Sequence, residues 1–262
     1  CCAHEQGAAF AAEAYGRLTG NLGVAVSTSG PGALNLVSGI ASAYFDSIPT
    51  LFFTGQVVSS QLKGDRKIRQ LGFQETDIPA ICHPITKGVW RVAAETIRED
   101  LENAVRLAKG GRPGPVVLDI PDDVQRAEIN PMRDYRFKTS FDIKPSALLN
   151  ITQICSLIER SQRPVLILGA GVHIAQAEAQ MRRFVDWLKV PILLTWGAKD
   201  LLPDDHPFLA GTFGVCGSSV GNFTVTSADL VLSIGARLNT QEVGRDWRRF
   251  APVAKKIVLD SD

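Results

Sequence analysis

A carboxylate at a helix start and two glycine-rich turns are the places where this chain could do chemistry. Glu5, within His4-Glu5-Gln6-Gly7, opens a run of small residues. An acid in that position can exchange protons with a ligand, or can simply favour the positive end of a helix. Thr28-Ser29-Gly30-Pro31-Gly32-Ala33-Leu34-Asn35 follows a short apolar run. Its glycines bring bare backbone close to whatever lies at the carboxyl end of a parallel strand, where open α/β sheets bind ligands. Gly169-Ala170-Gly171 also follows an apolar run, but a dinucleotide fingerprint needs glycine at 174, where this chain has Ile174. A tight turn ahead of a helix covers that motif. The chain contains no G-x-x-x-x-G-K-[ST]. His4, His83, His173 and His206 lack metal-ligand spacing, and so no metal site is expected from them. Cys1, Cys2, Cys82, Cys155 and Cys216 are an odd set without repeated spacing, which reads as reduced thiols of an intracellular protein.

The elements that must position these residues alternate between apolar β-runs and helical stretches, the pattern of an α/β fold with parallel sheets. A helix is predicted from His4 to Leu18, with Gly20 as its stop. A strand at 23–28 leads into the Gly-Pro-Gly turn, then a helix from Ala33 to Phe45 and a strand at 49–54. After a long loop from Gly55 to Gln74 come a helix over Ile97–Lys109 and a buried strand at 116–120. Residues 125–145 carry Arg126, Arg133, Arg136 and Lys138 with little periodicity and read as a linker. A second α/β unit follows: a helix over 148–159, strands at 164–168, 191–195, 228–234 and 256–260, and a helix over 175–188.

The chain has 262 residues, and 28 Lys+Arg against 27 Asp+Glu leave a formal charge of +1. That length suits about two domains. The near-neutral balance removes the electrostatic reason to expect a nucleic-acid or polybasic membrane binder. No apolar run approaches the ~20 residues of a membrane span, so a soluble, cytoplasmic protein is expected. The start lacks signal-peptide features and an initiating Met, and the end falls on a strand, so both termini read as cut.

Taken together, the motifs resemble thiamine-diphosphate-dependent enzymes of the acetolactate synthase (acetohydroxyacid synthase) large-subunit type. The residues that carry the resemblance are His4-Glu-Gln-Gly-Ala8, Ala12-Glu-Ala-Tyr-Gly16, Thr28-Ser-Gly-Pro-Gly-Ala33 with Asn35, and Asp46-Ser-Ile-Pro49. Phe53-Thr-Gly-Gln-Val57, Phe73-Gln-Glu-Thr-Asp77, Pro84-Ile-Thr-Lys87 and Gly111-Arg-Pro-Gly-Pro-Val116 with Asp119-Ile-Pro121 follow in the family's order. The second half is similar through Gly211–Gly217, Ala228-Asp-Leu230 and Gly235-Ala-Arg237.

The resemblance implies two doubly wound parallel-sheet α/β domains. These would be a pyrimidine-binding domain over 1–127 that lacks its first elements, a linker over 128–145, and a Rossmann-like central domain over 146–262 that stops short of its own end. It implies decarboxylation of a pyruvate-like 2-oxo acid and joining of the remainder to a second carbonyl, in the manner of branched-chain amino acid biosynthesis. Related enzymes of surface-polysaccharide biosynthesis, or a non-catalytic module, are the alternatives. In the family, the residue matching Glu5 hydrogen-bonds the cofactor's aminopyrimidine ring and favours the imino tautomer, whose exocyclic nitrogen deprotonates the thiazolium carbon. Such a role predicts a poorly solvated carboxyl with a raised pKa. By the same carry-over, Pro31 and Asn35 line the pyrimidine pocket, Gln74 and its neighbour Phe73 face the reacting carbon, and Lys87 is structural.

The family's Gly-Asp-Gly…Asn segment, which holds magnesium and the diphosphate, has no counterpart here. The chain alone is thus expected to be inactive. Its parent is expected to be a homodimer or tetramer with sites shared between subunits. Gly235-Ala-Arg-Leu-Asn-Thr-Gln241 departs from the family's FAD-binding run, which puts FAD in doubt. The loop Val58–Leu71 is longer than in those enzymes and carries Lys63, Arg66, Lys67 and Arg69. It reads as a solvated charged loop, or as a guard favouring an anionic or sugar-linked acceptor.

Overall fold

In the computed structural model, which describes residues 1–129 and 150–261, apolar runs that end at glycine become parallel strands. The chain divides into two compact units, Cys1–Lys144 and Pro145–Asp262. The expected linker at 128–145 lies, from residue 130 onward, outside the described residues. Among the described residues no helix is long and apolar enough to cross a membrane.

The first unit runs α1 (Glu5–Thr19), β1 (Gly23–Ser27), α2 (Pro31–Asn35), α3 (Val37–Asp46), β2 (Thr50–Gln56), α4 (Ile78–Cys82), β3 (Gly88–Arg91), α5 (Ile97–Lys109), β4 (Pro115–Pro121) and α6 (Asp122–Gln125). Its four strands are parallel in the order β1-β2-β4-β3. One sheet face carries Ala25, Phe52 and Val117 and packs on Ala9, Ala12, Leu36, Ile40 and Ile78 of the surrounding helices. The other carries Leu51, Val116 and Leu118 and packs on Ala104 and Ala108 of α5. Burial on both faces explains why β4 is apolar at every position but Asp119, as strands of parallel sheets tend to be. The expected helix 33–45 is two helices joined at Leu36, which leaves Asn35 at the end of a single turn.

The second unit runs α7 (Ile151–Arg160), β5 (Pro164–Leu168), α8 (Gly171–Ile174), α9 (Glu178–Leu188), β6 (Ile192–Leu194), β7 (Leu209–Thr212), α10 (Ser219–Ser227), β8 (Leu230–Ile234), α11 (Thr240–Val243) and β9 (Lys255–Leu259). The parallel order β7-β6-β5-β8-β9 is that of a Rossmann-like half, with its reversal between β5 and β8. The expected helix 175–188 begins only at Glu178, because Gln176 takes a φ of 52° that no helix accommodates. Asp229 ties the entry of β5 to that of β8: it accepts hydrogen bonds from the Ser161 hydroxyl and from the backbone N–H groups of Gln162 and Arg163 (2.8 and 2.9 Å). Those donors push its pKa down to about 2, the Ser161 bond contributing most.

Candidate functional site

The turn after β1 gathers the residues singled out in the first unit. Glu5 is the first residue of α1, capped by the His4 ring nitrogen Nδ1, which accepts the Gln6 N–H at 3.1 Å. Asn35 ends α2 and donates from Nδ2 to Glu5 Oε2 at 3.0 Å. A β-carbon at Gly32 would stand 3.2 Å from Glu5 Oε1 and 2.6 Å from the Thr28 methyl, so only glycine leaves that space. Pro31 is exposed at the first position of α2, where its missing N–H costs no helical bond. The turn thus holds one oxygen of Glu5 with an amide and sets the other against bare backbone.

Gly30 serves the opposite side of the turn. Its φ of 60° and ψ of −124° suit glycine, and a β-carbon there would lie 2.8 Å from both Cβ and the carbonyl oxygen of Gln74. Gln74 has a φ of 63° within a turn closed by the Glu75 N–H on the Gly72 carbonyl (3.1 Å). Third positions of such turns with positive φ normally hold glycine or asparagine. Each glycine of Gly-Pro-Gly therefore makes room for one residue of interest, Gly32 for Glu5 and Gly30 for Gln74. Phe73 is 85% exposed beside them.

The expected solvation of Glu5 is not what the structure shows. The carboxyl is only partly buried, and its pKa is lowered, first by the Asn35 amide, then by a backbone N–H and by nearby His4, against a smaller opposing effect of burial. The expectation of a raised pKa is corrected on this point. Hydrogen-bond donation to the ionised form outweighs desolvation where no apolar wall covers the group.

Around this turn, Glu75 closes the charged loop. Its Oε1 accepts the Lys63 N–H at 2.6 Å and its Oε2 the Leu71 N–H at 2.9 Å, while Arg66, Lys67 and Arg69 are exposed. Burial raises the Glu75 pKa, but these backbone donors together with Gly72 and Lys63 bring it below the ordinary value. Lys87 donates from Nζ to the Gly110 carbonyl at 2.5 Å, capping the end of α5, and burial lowers its pKa. That contact fits the structural role expected of it.

In the second unit the glycine turn sits at the β5/β8 reversal, where a dinucleotide would bind. Three backbone donors there are already used: Gly169 N–H bonds the Ile234 carbonyl (3.0 Å), Gly171 N–H the Gly235 carbonyl (2.9 Å) and Val172 N–H the Gly169 carbonyl (3.1 Å). A β-carbon at Gly169 would stand 2.1 Å from the Gly235 oxygen, and one at Gly171 2.6 Å from the Gly235 Cα. The glycines let two loops touch, and the three N–H groups are not presented to a diphosphate. Next to them His173 bridges Glu178 through Nδ1 and Asp200 through Nε2, both at 2.9 Å. Burial works to lower its pKa, but the two carboxylates prevail and raise it. No group of three or more His, Cys, Asp or Glu side chains able to hold a metal ion occurs among the described residues.

Comparisons with known proteins converge on both units. Residues 1–81 match the model of the thiamine pyrophosphate enzyme N-terminal TPP binding domain, and residues 151–262 that of the thiamine pyrophosphate enzyme central domain. A protein described as "Probable acetolactate synthase large subunit" from Methanocaldococcus jannaschii is 41% identical over 266 residues, covering 99% of this chain and 44% of that protein. The acetolactate synthase isozyme 2 large subunit of Escherichia coli is 36% identical over 264 residues, covering 100% of this chain and 46% of that protein. The acetolactate synthase large subunit of Corynebacterium glutamicum is 39% identical, with 99% and 41% covered. The chain spans less than half the length of these relatives.

Proposed function

The chain belongs to the thiamine pyrophosphate enzymes, and from that premise we propose that it forms the aminopyrimidine side of a site that decarboxylates a pyruvate-like 2-oxo acid and joins the remainder to a second carbonyl compound. The observation that carries this reading is the Glu5 carboxylate, held on one oxygen by Asn35 and facing Gly32 with the other. When bound, thiamine diphosphate supplies the electron sink that such a decarboxylation needs. Glu5 would exchange a proton with the aminopyrimidine ring, Asn35 would fix the direction of the Glu5 carboxyl, and Pro31 with its flanking glycines would wall the ring's pocket. Gln74, on the other side of the turn, would face the reacting carbon. Covering Glu5 with the cofactor replaces water around it, which moves its pKa upward from the lowered state described above. Nothing in the structure or the comparisons favours a polysaccharide enzyme or a non-catalytic module over this reading.

Within the same proposal, residues 1–127 are the pyrimidine-binding domain, 128–145 the linker and 146–262 the central domain. Magnesium and the diphosphate are held by residues outside 1–262, in a homodimer or tetramer whose sites are shared between subunits in the cytoplasm. The chain by itself is inactive. The bonded N–H groups of Gly169, Gly171 and Val172 support a central domain without FAD. Release of carbon dioxide from pyruvate by the full-length protein, with thiamine diphosphate and magnesium added, tests the function. Glu5→Gln should lower the turnover by about 10²–10⁴-fold, because an amide cannot exchange that proton. Unchanged turnover would remove Glu5 from its role, and a yellow purified protein would restore FAD.

A further inference from the structure

A polar cluster inside the first unit is not used by any of these roles. Asp119, on β4, is fully buried. The sheet register sets Thr54 of β2 and Arg91 of β3 directly beside it. Thr54 donates to Asp119 Oδ1 (2.9 Å), while Arg91 Nε (3.1 Å) and Gln56 Nε2 (3.2 Å) both donate to Oδ2. Gln56 is also buried, and its Nε2 donates a second time, to the Thr76 carbonyl at 2.7 Å, while its Oε1 accepts the Val57 N–H at 3.0 Å. Both amide hydrogens and the amide oxygen therefore have partners. A carboxylate beside it accepts only, so Asp119, with the donating Val57 N–H, favours the arrangement in which the NH₂ end, not the oxygen, faces Thr76.

Thr76 lies two residues after Gln74, whose positive φ is costly for any residue but glycine and persists only where the surroundings hold it. On one side Gly30 admits it, and on the other the Thr76 carbonyl is held by Gln56 and by the Ile78 N–H at 2.9 Å. We propose that Gln56, oriented by Asp119, is a positioning residue that fixes Gln74 over the Gly30 turn and so sets its approach to the 2-oxo acid. The inference rests on the function proposed above for its catalytic consequence, and on geometry alone for the fixing of the turn.

A double-mutant cycle in the full-length protein tests it. Gln56→Met keeps the chain length, removes both donors and leaves Asp119 with Thr54 and Arg91. It should lower kcat/KM for pyruvate about tenfold or more, since a small misplacement of a reacting group has effects of that size. In a Gln74→Gly background, the same substitution should change kcat/KM by less than about twofold, because its target is gone. Equal losses in both backgrounds would overturn the inference, as would unchanged turnover in Gln56→Met or in Gln74→Gly. Amide hydrogen exchange over residues 72–78 is read in parallel and needs no activity. It should accelerate about tenfold or more in Gln56→Met, and unchanged protection would overturn the inference by itself. A wild-type protein inert toward 2-oxo acids, with exchange accelerated in the variant, would sink only the proposed function and leave Gln56 as the residue that holds the turn.

Discussion

Replacing Gly30 by alanine tests the contact on which the geometry of the turn depends. Two separate costs add there. The φ of 60° and ψ of −124° are unsuited to a residue with a β-carbon, which costs of order 1–3 kcal/mol. The added methyl would also meet Gln74 Cβ and the Gln74 carbonyl oxygen at 2.8 Å each, an overpacking worth about 1–3 kcal/mol more. Gly30→Ala should therefore destabilise the first unit by roughly 4 kcal/mol, a large part of a typical domain's stability. Gly64→Ala is the control: its φ is also positive, at 53°, but nothing lies within 4 Å of the added carbon, so about 1 kcal/mol is expected. Equilibrium unfolding in urea reads both, with the fluorescence of Trp90, the tryptophan of this unit, as probe. Adding Gln74→Gly to Gly30→Ala should recover part of the loss, because one of the two collisions is with Gln74 Cβ and the other with backbone. A Gly30→Ala variant no less stable than Gly64→Ala would show that Gln74 does not rest on Gly30 in solution.

Asn35→Ala should raise the pKa of Glu5, since the Asn35 amide is the largest cause of its lowering; carbon NMR of the Glu5 carboxyl reads the change. His173, raised above 6.5, contributes stability that is complete below that pH and is lost as pH rises through its folded value. Thermal midpoints of the wild type should accordingly fall across that range while those of His173→Gln stay flatter. Asp229 has the opposite sign: with its pKa lowered from 3.8 to about 2, its contribution is present above 3.8 and lost as pH falls toward 2. The stability gap between wild type and Asp229→Asn should close over that interval. With a thiol reagent at neutral pH, the exposed Cys1, Cys2 and Cys216 should react readily. Cys82, buried and pushed up to about 11 mainly by desolvation, should react only on unfolding.

What could be read from residue types alone followed from how each segment is buried. β2, β4, β5 and β8 lie in sheet interiors, and their apolar runs announced them. β3 and β7 give no such signal, because their residues are at most partly buried and their patterns correspondingly mixed. The sequence Ser-Val-Gly-Asn-Phe-Thr-Val-Thr-Ser of α10 is poor in helix formers. Its helix is held by the Ser218 cap and by Asn222, which bonds both the N–H and the carbonyl of Gly214. At the candidate site, the resemblance pointed to Glu5, Pro31, Asn35 and Gln74, whereas residue types left Glu5 open to a helix-dipole reading. The solvation of Glu5 depends on what surrounds it in space, and so residue types do not give the direction of its pKa shift. Gln56 lies in the Phe53–Val57 motif, but nothing local gives it a role, since its partners are 20 and 63 residues away and only the fold brings them to it.

The meeting of Gly169 and Gly171 with Gly235 also limits how this chain can diverge. A side chain on any one of them strikes the backbone opposite, so no compensating replacement at the partner position makes room for it. Descendants must keep all three or rebuild both loops at once, and intermediates between those two outcomes are removed by instability. A trio of glycines shared by distant members of a lineage would thus record a packing constraint inherited intact, and its persistence would outlast any change in the ligand or chemistry of the protein that carries it.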